Sequence, residues 1–539
     1  MSDLSAICDQ LSNIFEPITK SKIDIEISSN FGHLSTNFAL KQPNPREYAK
    51  QTLDTITLPE GISATVDGPG FVNFHLDNEI LIKCLVEMLR VKHSYGTLDL
   101  NCKISVDHTD PNPTGAVHIG HGRLAVIGDT ICRFLSWCGG YVSREYLLND
   151  IGNQIDLLVQ SIETRIAQKS GKDVQMPADG YHGEYINEWA EEVIKQRPEN
   201  LRDFALNLSL NEAIRDLKRI NVEFDNIHSE CEMQQTEVQS AVDQLKEHIY
   251  VGILPPPKGH EGEWDVKELT LLRKYDAKDS EDDIPVKKHN GNWTYTAGDI
   301  AFHKRRVDAR AEWLINVFGS DHHGHGPKLQ RIVHLLNPVV KFDIVFCQIV
   351  NLTEHGVHVR MSKRAGKFLS LSEVLEKIHP DVFRVSILTK NVDSPLTIDM
   401  DILQSSSVTN NPYYYLQYTY VRTKSVLSKS EGIEFTNADL TLLKEQEEIN
   451  HIYTLLQWPL YVKSVRNNLS NIHYLLSYAR KICESFNIWW HAGSSYQMKK
   501  IIIPDNKELS KARLSLIYAT QVILEIIFSI IGIKPLESL

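Results

Sequence analysis

Asp107-His108-Thr109-Asp110-Pro111-Asn112-Pro113-Thr114-Gly115-Ala116-Val117-His118-Ile119-Gly120-His121 is the stretch on which the fold turns. The run leading into it, Lys103 to His108, is β-like. The run leaving it, Gly122 to Cys138, spaces Leu124, Ile127, Ile131, Leu135 and Cys138 along one side of a helix. Gly139-Gly140 supplies the residues that tolerate a left-handed helix end, and Tyr141 to Leu147 reads as the next strand. A strand therefore enters a Pro- and Gly-rich loop that delivers two histidines to the start of a helix. Backbone N–H groups there favour anions, and Gly120 lets an adenine or ribose approach the backbone closely. His118 and His121, one turn apart, can donate to phosphate oxygens whose charge grows as pyrophosphate leaves. The pattern suits ATP. The rival reading, a chance His-Ile-Gly-His, loses weight because the tetrapeptide sits between strand and helix.

Working outward, strands and helices alternate from about Leu100 to Val392, the mark of a parallel α/β sheet. Asn153 to about Tyr250 reads as a mostly helical, polar insertion between two halves of that sheet. Asp279 to Asn292 reads as a charged loop with an Asn-Gly turn signal. A second motif, Val359-Arg360-Met361-Ser362-Lys363-Arg364-Ala365-Gly366-Lys367, follows a strand-like pair, Val345 to Leu352 and Val357 to Val359, joined by a His355-Gly356 turn. A flexible basic loop of this kind can swing Lys363 onto a triphosphate. A merely solvated basic loop is the alternative for that segment alone. At the front, Met1 to about Asp99 mixes a helical start with a strand across Gly70 to Leu76, a small α/β add-on. After about Asp393 strand signals fade, and helices such as Trp458 to Val465 and Tyr474 to Phe486 predict a bundle. The expected division is 1–99, 100–392 and 393–539.

Bulk properties bound this reading without deciding it. A chain of 539 residues is too long for one core, so about three domains are expected. The composition, 42% hydrophobic and 23% charged, is that of an ordinary globular protein. The eight cysteines are scattered with no Cys-x-x-Cys pair, which argues against a disulfide framework and a structural zinc site. A reducing cytoplasm fits. Ile523 to Ile533, broken by Glu525 and Ser529, reads as too short to span a bilayer, and the N-terminus lacks a secretory pattern. The net charge of −12 neither supports nor excludes nucleic acid, because counterion release needs local clusters of Lys and Arg.

The two ATP motifs, in this order and far apart in one α/β region, resemble the pair that defines class I aminoacyl-tRNA synthetases. The family's Lys-Met-Ser-Lys-Ser stands here with Arg360 for its first lysine and Arg364 for its last serine, around an intact Met361-Ser362-Lys363. The resemblance narrows to the bacterial-type branch of the arginyl-tRNA synthetases and covers nearly the whole chain. It rests on Asn112-Pro113-Thr114-Gly115, Asn149-Asp150-Ile151-Gly152-Asn153-Gln154, Tyr295-Thr296-Ala297-Gly298-Asp299-Ile300-Ala301, Gly319-Ser320-Asp321-His322-His323-Gly324, Asn411-Pro412-Tyr413-Tyr414-Tyr415-Leu416-Gln417-Tyr418 and Gly68-Pro69-Gly70-Phe71-Val72-Asn73-Phe74. It implies a Rossmann-type catalytic domain between an N-terminal tRNA-binding add-on and a helical anticodon-binding domain.

A guanidinium is planar, permanently charged and carries five donors, so a selective pocket needs carboxylates. Asp299 lies four residues after Tyr295, and on a helix the carboxylate and the phenol share a side. The resemblance gives these two the guanidinium. It gives Asp107, where much of the family has Glu, a contact to either the guanidinium or the α-amino group, and Asn112 the α-amino or carboxylate end. His322, Gln in some relatives, is a further arginine contact. Against these stand a core role for Tyr295 and a helix cap for Asp299. Pro113, Gly115, Gly120, Asp321, Met361 and Ser362 are implied around ATP, with His118, His121 and Lys363 catalytic. The cluster His322-His323-Gly324-His325 is a poor zinc site and reads as polar groups near ATP; Mg²⁺ is expected only with the nucleotide.

Tyr414, Tyr418 and Arg422 open the helical region, where aromatics can stack unpaired anticodon bases and a cation can meet phosphate. For any single tyrosine, packing within the bundle is the plainer role. The implied partners are tRNA(Arg), L-arginine and ATP, for a cytoplasmic monomer without a membrane. The implied reaction makes arginyl-adenylate and then arginyl-tRNA, releasing AMP and pyrophosphate. The rivals are a class I synthetase for another amino acid, a simple nucleotidyltransferase, and an inert synthetase-like tRNA-binding or assembly protein.

Overall fold

The computed structural model describes residues 3–28, 31–254, 268–273, 283–358, 370–430 and 432–539. They form two compact units, residues 99–404 and residues 1–98 together with 405–539.

The first unit is built on a five-stranded sheet, in the order Lys341–Cys347, Trp313–Gly319, Lys103–His108, Tyr141–Leu148, Asn226–Ser229, every neighbouring pair parallel. Numbered along the chain, the spatial order is 3-2-1-4-5, the Rossmann arrangement, with its switch point between Lys103–His108 and Trp313–Gly319. The central strand Lys103–His108 is buried on both faces, and its alternation sorts the chemistry. Ile104, Val106 and His108 share one face. There Gly128 of the Ile119–Trp137 helix approaches so closely that a Cβ would stand 2.4 Å from the His108 ring. Ser105 and Asp107 share the other, under the Tyr295–Asp308 helix.

Several details differ from the sequence reading. The 153–250 segment is helical over Asn153–Lys169, Glu184–Gln196 and Leu201–Arg219, but it returns to the sheet as strand Asn226–Ser229. Part of the supposed charged loop is strand Ile284–Lys287, in an antiparallel sheet with Leu269–Leu272 and Ile249–Gly252. Residues 279–282 lie outside the described ones. Val345 to Leu352 is not one strand: it splits into the end of Lys341–Cys347 and the start of Val350–Glu354. The His355-Gly356 turn is real, with φ of 53° and 72°, the two positive angles a tight hairpin needs. A strand also follows Asp393: Leu396–Asp399 pairs parallel with Val350–Glu354.

In the second unit, an antiparallel sheet ordered Glu26–Ile27, Leu34–Thr36, Phe71–Leu76, Ile62–Asp67 carries the helices Leu4–Thr19, Pro45–Thr55 and Asn78–Val91. The predicted strand at Gly70 to Leu76 is therefore present. The C-terminal part is all helical, including Pro412–Lys429, Gln446–Leu456, Trp458–Asn467, Tyr474–Ser495 and Lys507–Ile531. The two parts interlock. The Asn78–Val91 helix packs on Gln446–Leu456, and Lys463 meets Asp9 at 2.6 Å. The Tyr453 hydroxyl donates to the His33 carbonyl, and Gly96 leaves no room for a Cβ against Trp458. The Lys507–Ile531 helix corrects the sequence reading of a short apolar stretch: its 25 residues are long and apolar enough to cross a membrane. In the fold, 78% of its most apolar window is buried, as a helix that is hydrophobic all round becomes at the centre of a bundle.

Candidate active site

A cleft of about 1020 Å³ opens at the carboxyl ends of the strands, at the switch point. One wall is the loop after Lys103–His108 and the start of the Ile119–Trp137 helix. The opposite wall is the Tyr295–Asp308 helix together with the turn Ser320–His322. Asp107, Asn112, His118, Gly120, His121, Tyr295, Asp299, Asp321 and His322, all singled out from sequence, line this one space. Among the described residues Pro113 and Gly115 do not line it. Gly115 instead abuts Tyr185, whose ring a Cβ would meet at 2.7 Å and whose hydroxyl donates to the Thr114 carbonyl. Arg360, Met361, Ser362, Lys363 and Arg364 lie outside the described residues.

The histidine pair is built by capping. His118 is the N-cap of its helix, and its Nδ1 accepts the His121 N–H at 3.2 Å. The two rings stack, centroids 3.7 Å apart and 12° between planes. Upstream, Thr109 and Asp110 both adopt positive φ, 85° and 34°. Such backbone costs about 1–3 kcal/mol per residue and is kept only where surroundings enforce it. Here the Thr109 hydroxyl meets His108 Nδ1 at 2.9 Å, Asp110 accepts the Leu147 N–H at 2.9 Å, and Tyr146 donates to the Pro111 carbonyl at 3.0 Å.

The floor is a network of buried charge that the sequence did not reveal. Arg306 is buried, donating to Ser105 Oγ, the Ser105 and Ile315 carbonyls and Asn316 Oδ1 at 2.7–2.9 Å. Asn316 passes the contact on, donating to Asp107 Oδ2 at 2.9 Å. Burial raises the Asp107 carboxyl above its usual range despite Arg306, and burial beside Asp107 raises Asp110 well above it. Burial side by side therefore disfavours charge on both acids, and the buried Arg306 offsets it.

The arginine-side residues stand as follows. Tyr295 is the first residue of its helix and 65% exposed at the cleft rim, so it is no core tyrosine. Asp299 is largely buried and paired, its Oδ2 lying 3.1 Å from His325 Nε2. It does not cap the helix, whose N-cap is Thr294. Asn112 donates to Gln154 at 3.1 Å, and the half-exposed His322 ring tilts against Phe318. Glu230, which no sequence motif marked, also lines the cleft. Burial lifts its carboxyl to about 7, and Asp299 adds to the rise. Asn149, with its amide oriented to satisfy both neighbours, donates to Glu230 Oε2 at 2.9 Å. Its one trace in the sequence is Asn149, which belongs to the Asn149-Asp150-Ile151-Gly152-Asn153-Gln154 motif, whereas Glu230 belongs to none.

Of the aromatic residues on Pro412–Lys429, Tyr413 and Tyr420 are buried in the bundle. Tyr418 instead carries Arg422 on its face at 4.3 Å, and Trp490 takes the other side of that guanidinium at 4.6 Å. Trp490 was not singled out from sequence. Among the described residues no group of three His, Cys, Asp or Glu is placed to hold a metal ion.

Family profiles match in series: an arginyl tRNA synthetase N terminal domain over residues 4–76, the catalytic domain of class I tRNA synthetases (R) over 85–404, and a DALR anticodon binding domain over 416–539. The arginine–tRNA ligase of Rickettsia akari is 32% identical over 573 residues, covering 99% of this chain and 98% of that protein. That of Rickettsia typhi is 33% identical, covering 100% and 98%. The Thermus thermophilus arginyl-tRNA synthetase structure superposes with a TM-score of 0.77 at 20% identity, covering 98% of this chain and all of that one. The Plasmodium falciparum enzyme gives 0.73 at 17%, covering 99% of each chain; at these identities the likeness is one of fold.

Proposed function

Because the chain belongs to the arginyl-tRNA synthetase family, we propose that its cleft joins an ATP cradle to a guanidinium pocket, with the residue roles set out below. The chain is an arginine–tRNA ligase, a class I enzyme that uses ATP, and the inert alternative is set aside. The feature that supports the roles best is the convergence of His118, His121, Tyr295 and Asp299 on one space.

In the first step the arginine carboxylate attacks the α-phosphorus of ATP, giving arginyl-adenylate and pyrophosphate. His118 and His121 meet phosphate oxygens where charge develops, and Lys363 joins them from its basic loop. Pro113, Gly115, Gly120, Asp321, Met361 and Ser362 complete the nucleotide site, Pro113 and Gly115 by shaping the loop. ATP arrives as its Mg²⁺ complex. Tyr295 and Asp299 grip the guanidinium, while Asn112 and His322 hold the remainder of the amino acid. Asp107, held by Asn316, meets the guanidinium or the α-amino group from the floor, and Glu230 adds a carboxyl beside Asp299. In the second step the 2′-hydroxyl of the terminal adenosine of tRNA(Arg) takes the arginyl group and AMP leaves. Positioning and charge neutralisation suffice; no protein nucleophile is needed. Tyr414, Tyr418 and Arg422 contact the anticodon loop, with residues 1–99, 100–392 and 393–539 as tRNA-binding, catalytic and anticodon-binding regions. By analogy with the family, activation requires bound tRNA. The enzyme works as a cytoplasmic monomer.

Aminoacylation of mixed tRNA with each radiolabelled amino acid in turn tests this directly. Arginine alone is charged; efficient charging of another amino acid in its place overturns the pocket assignment.

A further inference from the structure

We propose that His325 is a built-in counter-cation for Asp299, holding that carboxylate in the arginine-free enzyme and giving up its proton when a guanidinium takes its place. The proposal rests on the assignment of Asp299 to the guanidinium. The His325 Nε2 lies 3.1 Å from Asp299 Oδ2, and both side chains are mostly buried. A carboxylate so placed is costly without a partner, and His325 is the cation the fold supplies.

Other ionisable groups stand around the pair, Asp150 among them beside Glu230. From the Tyr295–Asp308 helix come Asp299, His303 and Arg306. His303 donates through Nδ1 to the Asp299 carbonyl at 2.8 Å, and burial draws it down to about 4, so it is uncharged. Arg306 is balanced by the acids of the floor. From the Glu230–Thr236 helix comes Glu230, and from the turn at Ser320–His322 come Asp321 and His322, whose ring centroid lies 6.5 Å from that of His325. On its own helix His325 faces Lys328, which opposes its charge, while the Asp299 hydrogen bond raises its affinity for a proton. An incoming guanidinium therefore meets a carboxylate already paired.

The two cations differ in one property. A guanidinium keeps its charge at any accessible pH, whereas an imidazolium can shed its proton. The exchange balances: carboxylate–imidazolium plus guanidinium gives carboxylate–guanidinium, neutral imidazole and one free proton. A neutral isostere such as citrulline cannot drive this exchange, so the arrangement sharpens selection for a true cation.

The test is the KM for L-arginine at saturating ATP and tRNA between pH 6 and 7.5, with full-length protein. Glu230 also releases a proton to an arriving cation, so the comparison is made in an E230Q background. There KM should fall with rising pH, approaching about tenfold per unit below the His325 midpoint, and adding H325Q should flatten it. The same slope in both overturns the proposal. D299N should raise KM and abolish the slope. If D299N changes neither, the guanidinium assignment falls as well; if D299N raises KM while H325Q keeps the slope, only the counter-cation falls. Should H325Q not fold, calorimetry of L-arginine binding to E230Q at pH 6, in two buffers of different ionisation enthalpy, decides. One proton released supports the exchange, and none overturns it.

Discussion

A Cβ on Gly120 would stand 2.9 Å from both Cε1 and Nδ1 of His118. The His118 ring therefore lies where only glycine leaves space, and the same Nδ1 caps the helix through His121. Gly120→Ala should displace the ring and break cap and stack together. ATP–pyrophosphate exchange in the presence of tRNA should fall by roughly tenfold to a hundredfold. Exchange close to the parent's would remove the histidine pair from the chemistry.

Lys363 carries a role proposed from its motif. Lys363→Ala should slow adenylate formation by about two orders of magnitude, the scale of one transition-state donor, with little change in the KM for arginine. Single-turnover measurement separates these, and an unaltered rate would free the loop from catalysis.

Glu230 makes a stability prediction whose sign follows from its carboxyl being lifted by burial to about 7 from an ordinary 4.5. The folded chain keeps a proton that the unfolded chain loses above pH 4.5. The fold is thus favoured at low pH, and this contribution is lost as pH rises through 7. Glu230→Gln should gain stability relative to the parent between pH 5 and 8 by on the order of 2 kcal/mol. Urea denaturation at the two pH values reads the difference, and parallel curves would show that Glu230 is ionised in the fold.

Arg513 and Glu448 form an ion pair in which each side chain is 1% exposed, joined at 2.6 Å. Arg513 also donates to the carbonyls of Met498 and Lys500 at 2.8 and 2.6 Å. Arg513→Met should cost about 3–5 kcal/mol, because it strands a buried carboxylate. A melting temperature equal to the parent's would show that the ion pair does not hold the bundle together.

Much of the site was legible because its parts are local. Capping and one-turn spacing place His118 against His121, and helical spacing puts Tyr295 and Asp299 on one side of one element. What escaped is what tertiary pairing creates. Arg306 and Asn316 sit on a helix and a strand whose sequences give no sign that Asn316 links Arg306 to Asp107, since parallel strands meet only through strand order. Glu230 follows a four-residue strand inside a stretch that looks helical, so neither was seen. The Leu269–Leu272 and Ile284–Lys287 strands are likewise too short for a period to register. His325 was seen as a member of a histidine cluster, but its pairing with Asp299 crosses from one helix to the start of another.

The packing of residues 1–98 with 405–539 sets an order of events during synthesis. The first hundred residues leave the ribosome about 300 residues before the helices that complete their core. At cellular elongation rates that wait is on the order of tens of seconds. During it, the faces destined for Trp458, Tyr453 and Lys463 stand bare, a window in which chaperones have their natural point of engagement.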